Sequence, residues 1–200
     1  MSSAEKSVLV PIGHGSEEIE ATCIVDTLVR AGAKVTVASV EPGELCCVMS
    51  RGIKITADAS LADSDDLENK QWDAIVCPGG MPGAERLRDD PRLTRMLTKQ
   101  AASSSFVAAV CAAPAVVLET HGILRGRKAT CYPAPPFVSK LEEESGRYVD
   151  SEAEKVVVDG NVVTSRGPGT SLLFALKLVE LLYSSEKAEE LAAQMLVVRE

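Results

Sequence analysis

A cysteine stands between an apolar run and a proline in the stretch FVAAVCAAPAVVLETHG, residues 106–122. The run FVAAV predicts a buried strand, and a short helix should begin near Ala113 because proline suits a first helical turn. A thiol at such a turn lies near the positive end of the helix dipole, which favours the nucleophilic thiolate. A single cysteine after a strand is, however, more often a buried packing residue. The rest of the chain must decide whether Cys111 packs or reacts.

The elements around Cys111 follow a strand–helix alternation. Near-continuous apolar strands separated by amphipathic stretches predict an α/β fold with a mostly parallel sheet and helices on both faces. The predicted strands are 7–12, 34–40, 73–77, 106–110, an edge strand at 53–59, and a hairpin near 155–165 that turns at Asp159-Gly160. The predicted helices are one capped by Ser16, one capped by Asp90 with Pro91 in its first turn, one near 137–144, and two closing helices at 169–183 and 185–195. Core positions of the first closing helix are assigned to Leu172, Leu173, Leu176 and Val179.

Ligand sites in such sheets gather at the carboxyl ends of the strands. The residues that follow the strands are His14 and the acidic run Glu17, Glu18 and Glu20, then Gly79 and Gly80, then Cys111, and finally Arg166 to Gly169. We therefore expect these four loops to form one pocket. The backbone N–H groups of Gly79, Gly80 and Ala112 are candidates for binding an oxyanion, and His14 is a candidate for reaching the pocket.

Composition limits the classes of function. The 200 residues are 46% hydrophobic and carry a net charge of −8, which argues against nucleic acid as the main partner and fits one globular domain over residues 1–200. No apolar run reaches the length of a membrane span, and the N-terminus does not look like a secretory signal, so we expect a cytoplasmic protein. Its six cysteines should then be thiols. With only two histidines and no CxxC pair, we expect no metal site.

Five blocks of the sequence resemble the ThiJ/PfpI superfamily, and most closely its DJ-1 branch, the deglycase-type proteins associated with parkinsonism. The blocks are GSEEIEA, CPGGMPGAERL, AAVCAAPAVVL, ATCYP and TSRGPGTSLLFAL. They occur in the family's order and cover nearly the whole chain. The resemblance implies a flavodoxin-like three-layer sandwich, similar to class I glutamine amidotransferase domains, that forms a homodimer.

The resemblance also implies roles for individual residues. Cys111 matches the reactive cysteine, and Glu20 matches a protonated acid that hydrogen-bonds its thiolate. Gly80 and Ala112 match residues whose amides face the substrate or an oxidised sulfur. The positions expected at the pocket and dimer edge are Glu17, Arg30, Arg51, Arg166 and Pro168.

One position departs from the family. Some members carry a histidine before the proline of the ATCYP block, close to the cysteine, and this chain has Tyr132 there. We expect Tyr132 to contact the substrate in its place. A cysteine protease needs a base for the thiol and for the leaving amine, and neither His14 nor His121 matches a family dyad, so the sequence argues against proteolysis.

Two functions remain open from the sequence. The first is a cofactor-independent glyoxalase or deglycase that converts small dicarbonyls, such as methylglyoxal and glyoxal, to hydroxy acids in defence against carbonyl and oxidative stress. The second is a redox-sensing, chaperone-like protein with little turnover, because an exposed thiolate is also the group that peroxide oxidises first. Both require Cys111 and Glu20.

Overall fold

A seven-stranded sheet forms the centre of the structure, a computed structural model that describes residues 5–144, 148–150 and 154–198. The strands of the chain are β1 (Ser7–Ile12), β2 (Lys34–Ser39), β3 (Cys46–Val48), β4 (Lys54–Thr56), β5 (Ala59–Ser60), β6 (Ala74–Cys77), β7 (Phe106–Val110), β8 (Val156–Asp159) and β9 (Val162–Ser165). The sheet order is β5-β2-β1-β6-β7-β9-β8. Its pairs are parallel except β8 with β9, while β3 and β4 form a separate antiparallel ribbon.

Helices cover both faces of this sheet. They are α1 (Glu18–Arg30), α2 (Asp65–Asn69), α3 (Gly83–Asp89), α4 (Pro91–Ala101), α5 (Pro135–Glu144), α6 (Ser171–Leu182) and α7 (Ser185–Gln194), with a π-helical segment at Pro114–Glu119 and a 3₁₀ turn at Pro168–Thr170. No helix among the described residues has the length and apolarity needed to cross a bilayer.

The alternation of side chains along the strands divides the core into two layers. Leu9 packs with the cluster that contains α3, α4 and α5, whereas its neighbours Val8 and Val10 pack with α1, α6 and α7. This follows from the period of two in a strand, which sends successive side chains to opposite faces. The predicted three-layer α/β fold with a mostly parallel sheet is confirmed.

The structure corrects three local predictions: the edge strand at 53–59, the hairpin turn and the cap of α1. The stretch 53–59 is not one edge strand, because β4 leaves the sheet to pair with β3, and only β5 adds to β2. The hairpin turn is Gly160-Asn161, since Asp159 still pairs with Val162. The cap of α1 is Glu17, whose side chain accepts a hydrogen bond from the N–H of Glu20, while the Ser16 hydroxyl is used by the N–H of Gly13. The predicted cap at Asp90 is confirmed.

The buried face of α6 also differs from the prediction. Leu176 and Val179 are buried as expected, but Leu172 and Leu173 are only half-buried, and Phe174 and Leu178 take the core positions instead. Phe174 is among the largest side chains with no exposed surface. It packs in the layer shared by α1, α6 and α7.

We therefore expect Phe174→Ala to reduce the free energy of unfolding by about 3–5 kcal/mol, because it removes a fully buried ring and leaves a cavity. Leu172→Ala is the matched control on the same helix and should cost clearly less. Urea unfolding of both variants measures the difference. Equal losses would show that the two side chains are buried to the same extent.

Candidate functional site

Cys111 occupies a strained turn between β7 and the π-helical segment. Its φ angle is +63°, in the left-handed region that side chains other than glycine rarely adopt. Its N–H donates to the carbonyl of Ser165 at 3.1 Å, and its carbonyl accepts from the N–H of Tyr132 at 2.7 Å. These two bonds fix the backbone on both sides of the cysteine, so the strained conformation persists. The side chain is half-buried.

Glu20 lies buried against this turn, with no exposed surface. Its Oε2 accepts a hydrogen bond from the N–H of Gly79 at 2.7 Å. Its Oε1 is also buried and has no conventional hydrogen-bond partner among the described residues, but the carboxyl interacts with the Cys111 thiol. Burial raises the pKa of Glu20 to about 7, although the contacts with Gly79 and Cys111 oppose the rise. Glu20 therefore exchanges its proton near neutral pH.

The thiol itself is not acidified in the way the sequence suggested. Burial raises the pKa of Cys111, and the Glu20 carboxylate raises it further, whereas the N–H groups of Gly80 and Ala112 lower it. The expected short helix after Cys111 is a six-residue π-helical segment that begins at Pro114. A protonated Glu20 carries no charge that opposes ionisation of the sulfur. The two groups therefore ionise as a coupled pair. The raised pKa of Cys111 keeps the remaining proton of the singly ionised pair on the sulfur, and the thiolate form requires that proton to be on Glu20.

The Gly79-Gly80 loop brings the two groups together. The Gly79 carbonyl accepts from the N–H of Glu17 at 3.0 Å, which ties the loop to the start of α1. A Cβ at Gly79 would lie 2.7 Å from the Cβ of Cys111, so only glycine fits there. The expectation that Gly79 offers its N–H to an oxyanion is wrong, because that N–H is occupied by Glu20. The donors directed at the sulfur are those of Gly80 and Ala112.

The other two acids of the run hold backbone rather than facing the thiol. Glu17 caps α1 through the N–H of Glu20 at 2.8 Å. Glu18 accepts from the Ser50 hydroxyl at 2.6 Å and from the N–H of Arg51 at 2.7 Å, and these bonds lower its pKa against the effect of burial. Arg51 is thereby fixed beside the first turn of α1, with its side chain exposed.

Two expected site residues lie elsewhere. The ring of His14 uses Nδ1 to accept from the N–H of Val48 at 3.0 Å, and its Nε2 contacts Glu44 at 3.1 Å, so it holds the β3–β4 ribbon instead of serving the pocket. Arg30 is exposed and pairs with Asp26 at 2.7 Å. It lies ten residues beyond Glu20 on α1, about 15 Å along the helix axis, so within one chain it is distant from the thiol, and its place at a dimer edge stays a prediction.

A cavity of about 560 Å³ opens at the carboxyl end of β9, the strand beside the one that Cys111 follows, and neither Cys111 nor Glu20 is part of its lining. It is lined by Tyr132, Pro133, Lys155, Arg166, Gly167, Pro168, Gly169 and Thr170. Tyr132 is partly exposed and its ring meets that of Phe137 edge-on. Neighbouring Cys131 is buried, which raises its pKa to about 12 and leaves it a thiol at neutral pH.

Sequence reasoning missed Lys155 and Thr170 in this lining. The register of the β8–β9 hairpin could have predicted Lys155. Val156 pairs with Ser165, so the residue before Val156 lies beside Arg166. Among the described residues, no group of three or more histidine, cysteine or acidic side chains is arranged to hold a metal ion.

Comparisons with known proteins agree on one family. A family model described as DJ-1/PfpI family matches residues 6–181. Protein DJ-1 homolog A of Arabidopsis thaliana is 44% identical over 98% of this chain and 48% of its own length. The glutathione-independent glyoxalase DJR-1.2 of Caenorhabditis elegans is 37% identical over 94% of this chain and 95% of its own length. The structure titled "Toxoplasma gondii DJ-1, oxidized" is 47% identical, covers 97% of this chain and 100% of its own, and has a TM-score of 0.89.

The chain spans about half the length of the first two curated relatives, 48% and 43%, both from Arabidopsis thaliana. The activities of those longer proteins therefore do not transfer to this chain by similarity alone.

The raised pKa of Glu20 predicts how stability depends on pH. In the folded protein the pKa is about 7 against an ordinary 4.5, so between these values the folded state keeps a proton that the unfolded chain has released. Stability conferred by that proton is lost as the pH rises through this window. Glu20→Gln cannot ionise and keeps an acceptor for Gly79. It should gain on the order of 2–3 kcal/mol over the wild type between pH 5 and pH 8.

Urea unfolding at the two pH values measures this gain. Glu189→Gln, an exposed position on α7, is the control and should show no such difference. A Glu20→Gln variant whose advantage is the same at pH 5 and pH 8 would show that Glu20 is already ionised in the folded protein at pH 5.

Proposed function

This chain belongs to the DJ-1/PfpI family, and from that premise we propose that it is a glutathione-independent glyoxalase that acts through Cys111 and Glu20. One observation carries the proposal. A fully buried carboxyl with a pKa of about 7 interacts with a thiol at a strained turn, and one of its oxygens has no other partner among the described residues. Such an acid can give up a proton and take one back at neutral pH, as an isomerisation requires.

The first step forms a covalent adduct. With the shared proton on Glu20, the Cys111 thiolate adds to the aldehyde carbon of methylglyoxal, and a carbon–sulfur bond forms as the carbonyl electrons move to oxygen. The N–H groups of Gly80 and Ala112 stabilise the oxyanion. Glu20 then protonates that oxygen to give a hemithioacetal. The carboxylate is therefore created only after the sulfur has lost its charge, so two anions never face each other.

The second stage moves a hydrogen between the two carbons. The Glu20 carboxylate removes the proton from the former aldehyde carbon, and an enediolate forms as the charge moves to the oxygen of the neighbouring carbon. Glu20 returns that proton to the neighbouring carbon, while the hydroxyl proton of the first carbon passes to the charged oxygen, and the product is a thioester of the hydroxy acid. Water hydrolyses the thioester, releasing lactate from methylglyoxal or glycolate from glyoxal. One carbon is oxidised and the other is reduced. The hydroxy acid therefore has the composition of the dicarbonyl plus one water, and the reaction needs no external oxidant or cofactor.

The same reaction would also account for deglycation, the removal of early glycation adducts. Early adducts of methylglyoxal with thiols and amines are in equilibrium with the free dicarbonyl, so removal of the dicarbonyl reverses their formation.

A protease would need a base near Cys111, and neither described histidine is placed for it. Both nitrogens of His14 have partners, and Nε2 of His121 contacts Thr94 and Arg88.

A redox-sensing function is the second candidate, and the same contacts favour it. Two N–H groups and a protonated acid can also hold the oxygens of a cysteine sulfinate. A similar solved structure, from Toxoplasma gondii, is titled as oxidised. All six cysteines of this chain are free thiols, which suits a reducing compartment, and we place either function in the cytoplasm.

The expected activity is lactate formation from methylglyoxal without glutathione. Cys111→Ala should abolish it because the adduct cannot form, and Glu20→Gln should lower kcat by about 10²–10⁴-fold because the proton-transfer group is lost. Cys46→Ala, which changes an exposed cysteine on β3, is the control and should keep wild-type activity. Chromatography measures the lactate formed by the wild type and by each variant. Absence of lactate, with two oxygen atoms gained on Cys111 in mild peroxide, would favour the sensor.

We also propose that the protein is a homodimer, whose second copy covers α1 and the β3–β4 ribbon. Ile19 and Val29 on α1, with Val48 and Ile53 on the ribbon, are exposed apolar side chains. Val29 also lines a cavity of about 410 Å³ whose other walls are mainly apolar. A patch of this kind is typical of a surface that another protein covers.

Val29→Lys should therefore shift the protein from dimer to monomer, because a charge would be buried at the contact. Val158→Lys, on exposed β8, is the matched control and should leave the dimer intact. Light scattering after size exclusion gives the mass of each. A wild-type protein with the mass of one chain would refute the dimer, and a dimeric Val29→Lys variant would place the contact elsewhere.

A further inference from the structure

The cavity that Arg166 lines lies at the end of β9, one strand away from the strand that leads to Cys111. β7 and β9 are parallel neighbours in which Val110 is aligned with Ser165. The next residues on the two strands are Cys111 and Arg166, and the N–H of Cys111 donates to Ser165 at 3.1 Å. Since neighbouring strands lie about 4.8 Å apart, the backbone of Arg166 starts close to that of the cysteine.

Arg166 is a poorly paired and largely buried cation. Its side chain is only 15% exposed, and its one ion pair among the described residues is a 3.4 Å contact from Nη2 to Asp150, which is itself 70% exposed. Its Nη1 is buried and has no hydrogen-bond acceptor among the described residues. A buried charge without full pairing is destabilising. An anionic group arriving in the cavity would relieve that cost.

The walls leave room for such a group. Lys155 adds a second cationic side chain to the lining. A Cβ built on Gly169 would meet nothing within 4 Å, while one on Gly167 would meet the ring of Tyr132 at 3.3 Å. The space beside Gly169 is therefore open, and the Tyr132 ring lies against Gly167. The Gly167–Thr170 turn that forms this wall is held by its own hydrogen bonds.

We propose that this cavity is an anion subsite in which Arg166 binds a carboxylate of the molecule that reacts at Cys111. The guanidinium and a carboxylate match in shape and form two parallel hydrogen bonds. Turnover of carboxylate-bearing dicarbonyls rests on the proposed glyoxalase function. Binding of the carboxylate does not, because it requires only the cavity and the thiol.

Two alkylating agents of nearly the same shape test the subsite without turnover. Iodoacetate and iodoacetamide both transfer a two-carbon group to the sulfur with loss of iodide, and only iodoacetate carries a carboxylate. Mass spectrometry of the Cys111 peptide gives the two rates and their ratio. Arg166→Gln should lower the iodoacetate-to-iodoacetamide ratio about tenfold, the scale of one charge-assisted hydrogen bond. Arg166→Lys keeps the charge and should retain most of the ratio.

Arg95→Gln is the matched control, because Arg95 is an exposed arginine on α4 that pairs with Glu68. It should leave the ratio unchanged. The iodoacetamide rate tests whether each variant keeps a native site. An unchanged ratio in Arg166→Gln, with the iodoacetamide rate preserved, overturns the subsite. If Arg166→Gln does not fold, the Arg166→Lys variant decides, since a ratio equal to that of free cysteine also overturns it.

Turnover then separates the two proposals. The wild type should prefer 4,5-dioxopentanoate, a 2-oxoaldehyde that ends in a carboxylate, over the uncharged 2-oxopentanal, and Arg166→Gln should remove that preference in kcat/KM. If the alkylation ratio depends on Arg166 and no dicarbonyl is converted, the subsite stands and the glyoxalase function fails. If methylglyoxal is converted and neither ratio depends on Arg166, the function stands and the subsite fails.

Discussion

The contact between the buried Glu20 carboxyl and the Cys111 thiol is the constraint on which the site depends. The carboxyl is held by the N–H of Gly79 and also interacts with the thiol. Burial favours the neutral form of both groups, and a charge on either one raises the cost of a charge on the other. The pair therefore has one ionisation near neutral pH, at Glu20, while the N–H groups of Gly80 and Ala112 lower the pKa of Cys111 and offset only part of the effect of burial and of the carboxylate.

The surrounding fold is arranged to keep these groups in place. Cys111 adopts a strained backbone, which persists because its N–H and carbonyl bond to the adjacent β9 and to Tyr132. Glu17 caps α1 with its side chain and ties the helix to the Gly79 carbonyl through its own N–H. Each anchor comes from a different segment, so the geometry exists only once the parallel sheet has formed. The same alignment of β7 with β9 brings Arg166 beside the cysteine.

Local patterns predicted those parts of the molecule that local physics decides. The apolar runs gave β1 and β7 with their observed bounds, and the Asp90-Pro91 pair marked the start of α4. The rule that sites gather at strand ends brought Cys111, Glu20 and Gly80 to one edge. The predictions that failed concern groups whose hydrogen-bond partners are distant in sequence. His14 is used by Val48, and the N–H of Gly79 by Glu20. No residue pattern near either position carries that information.

Among the described residues, Cys111 has a carboxyl group beside it and no histidine, and this difference bears on which reaction the site suits. A histidine would stay mostly neutral near pH 7 and favour amide hydrolysis, in which a leaving amine must be protonated. A carboxyl of pKa about 7 does something different, because it changes from acid to base when its proton goes to the substrate. Moving one hydrogen between adjacent carbons needs both roles in succession from one group. The buried acid is therefore better matched to isomerisation of a dicarbonyl than to cleavage of a peptide bond.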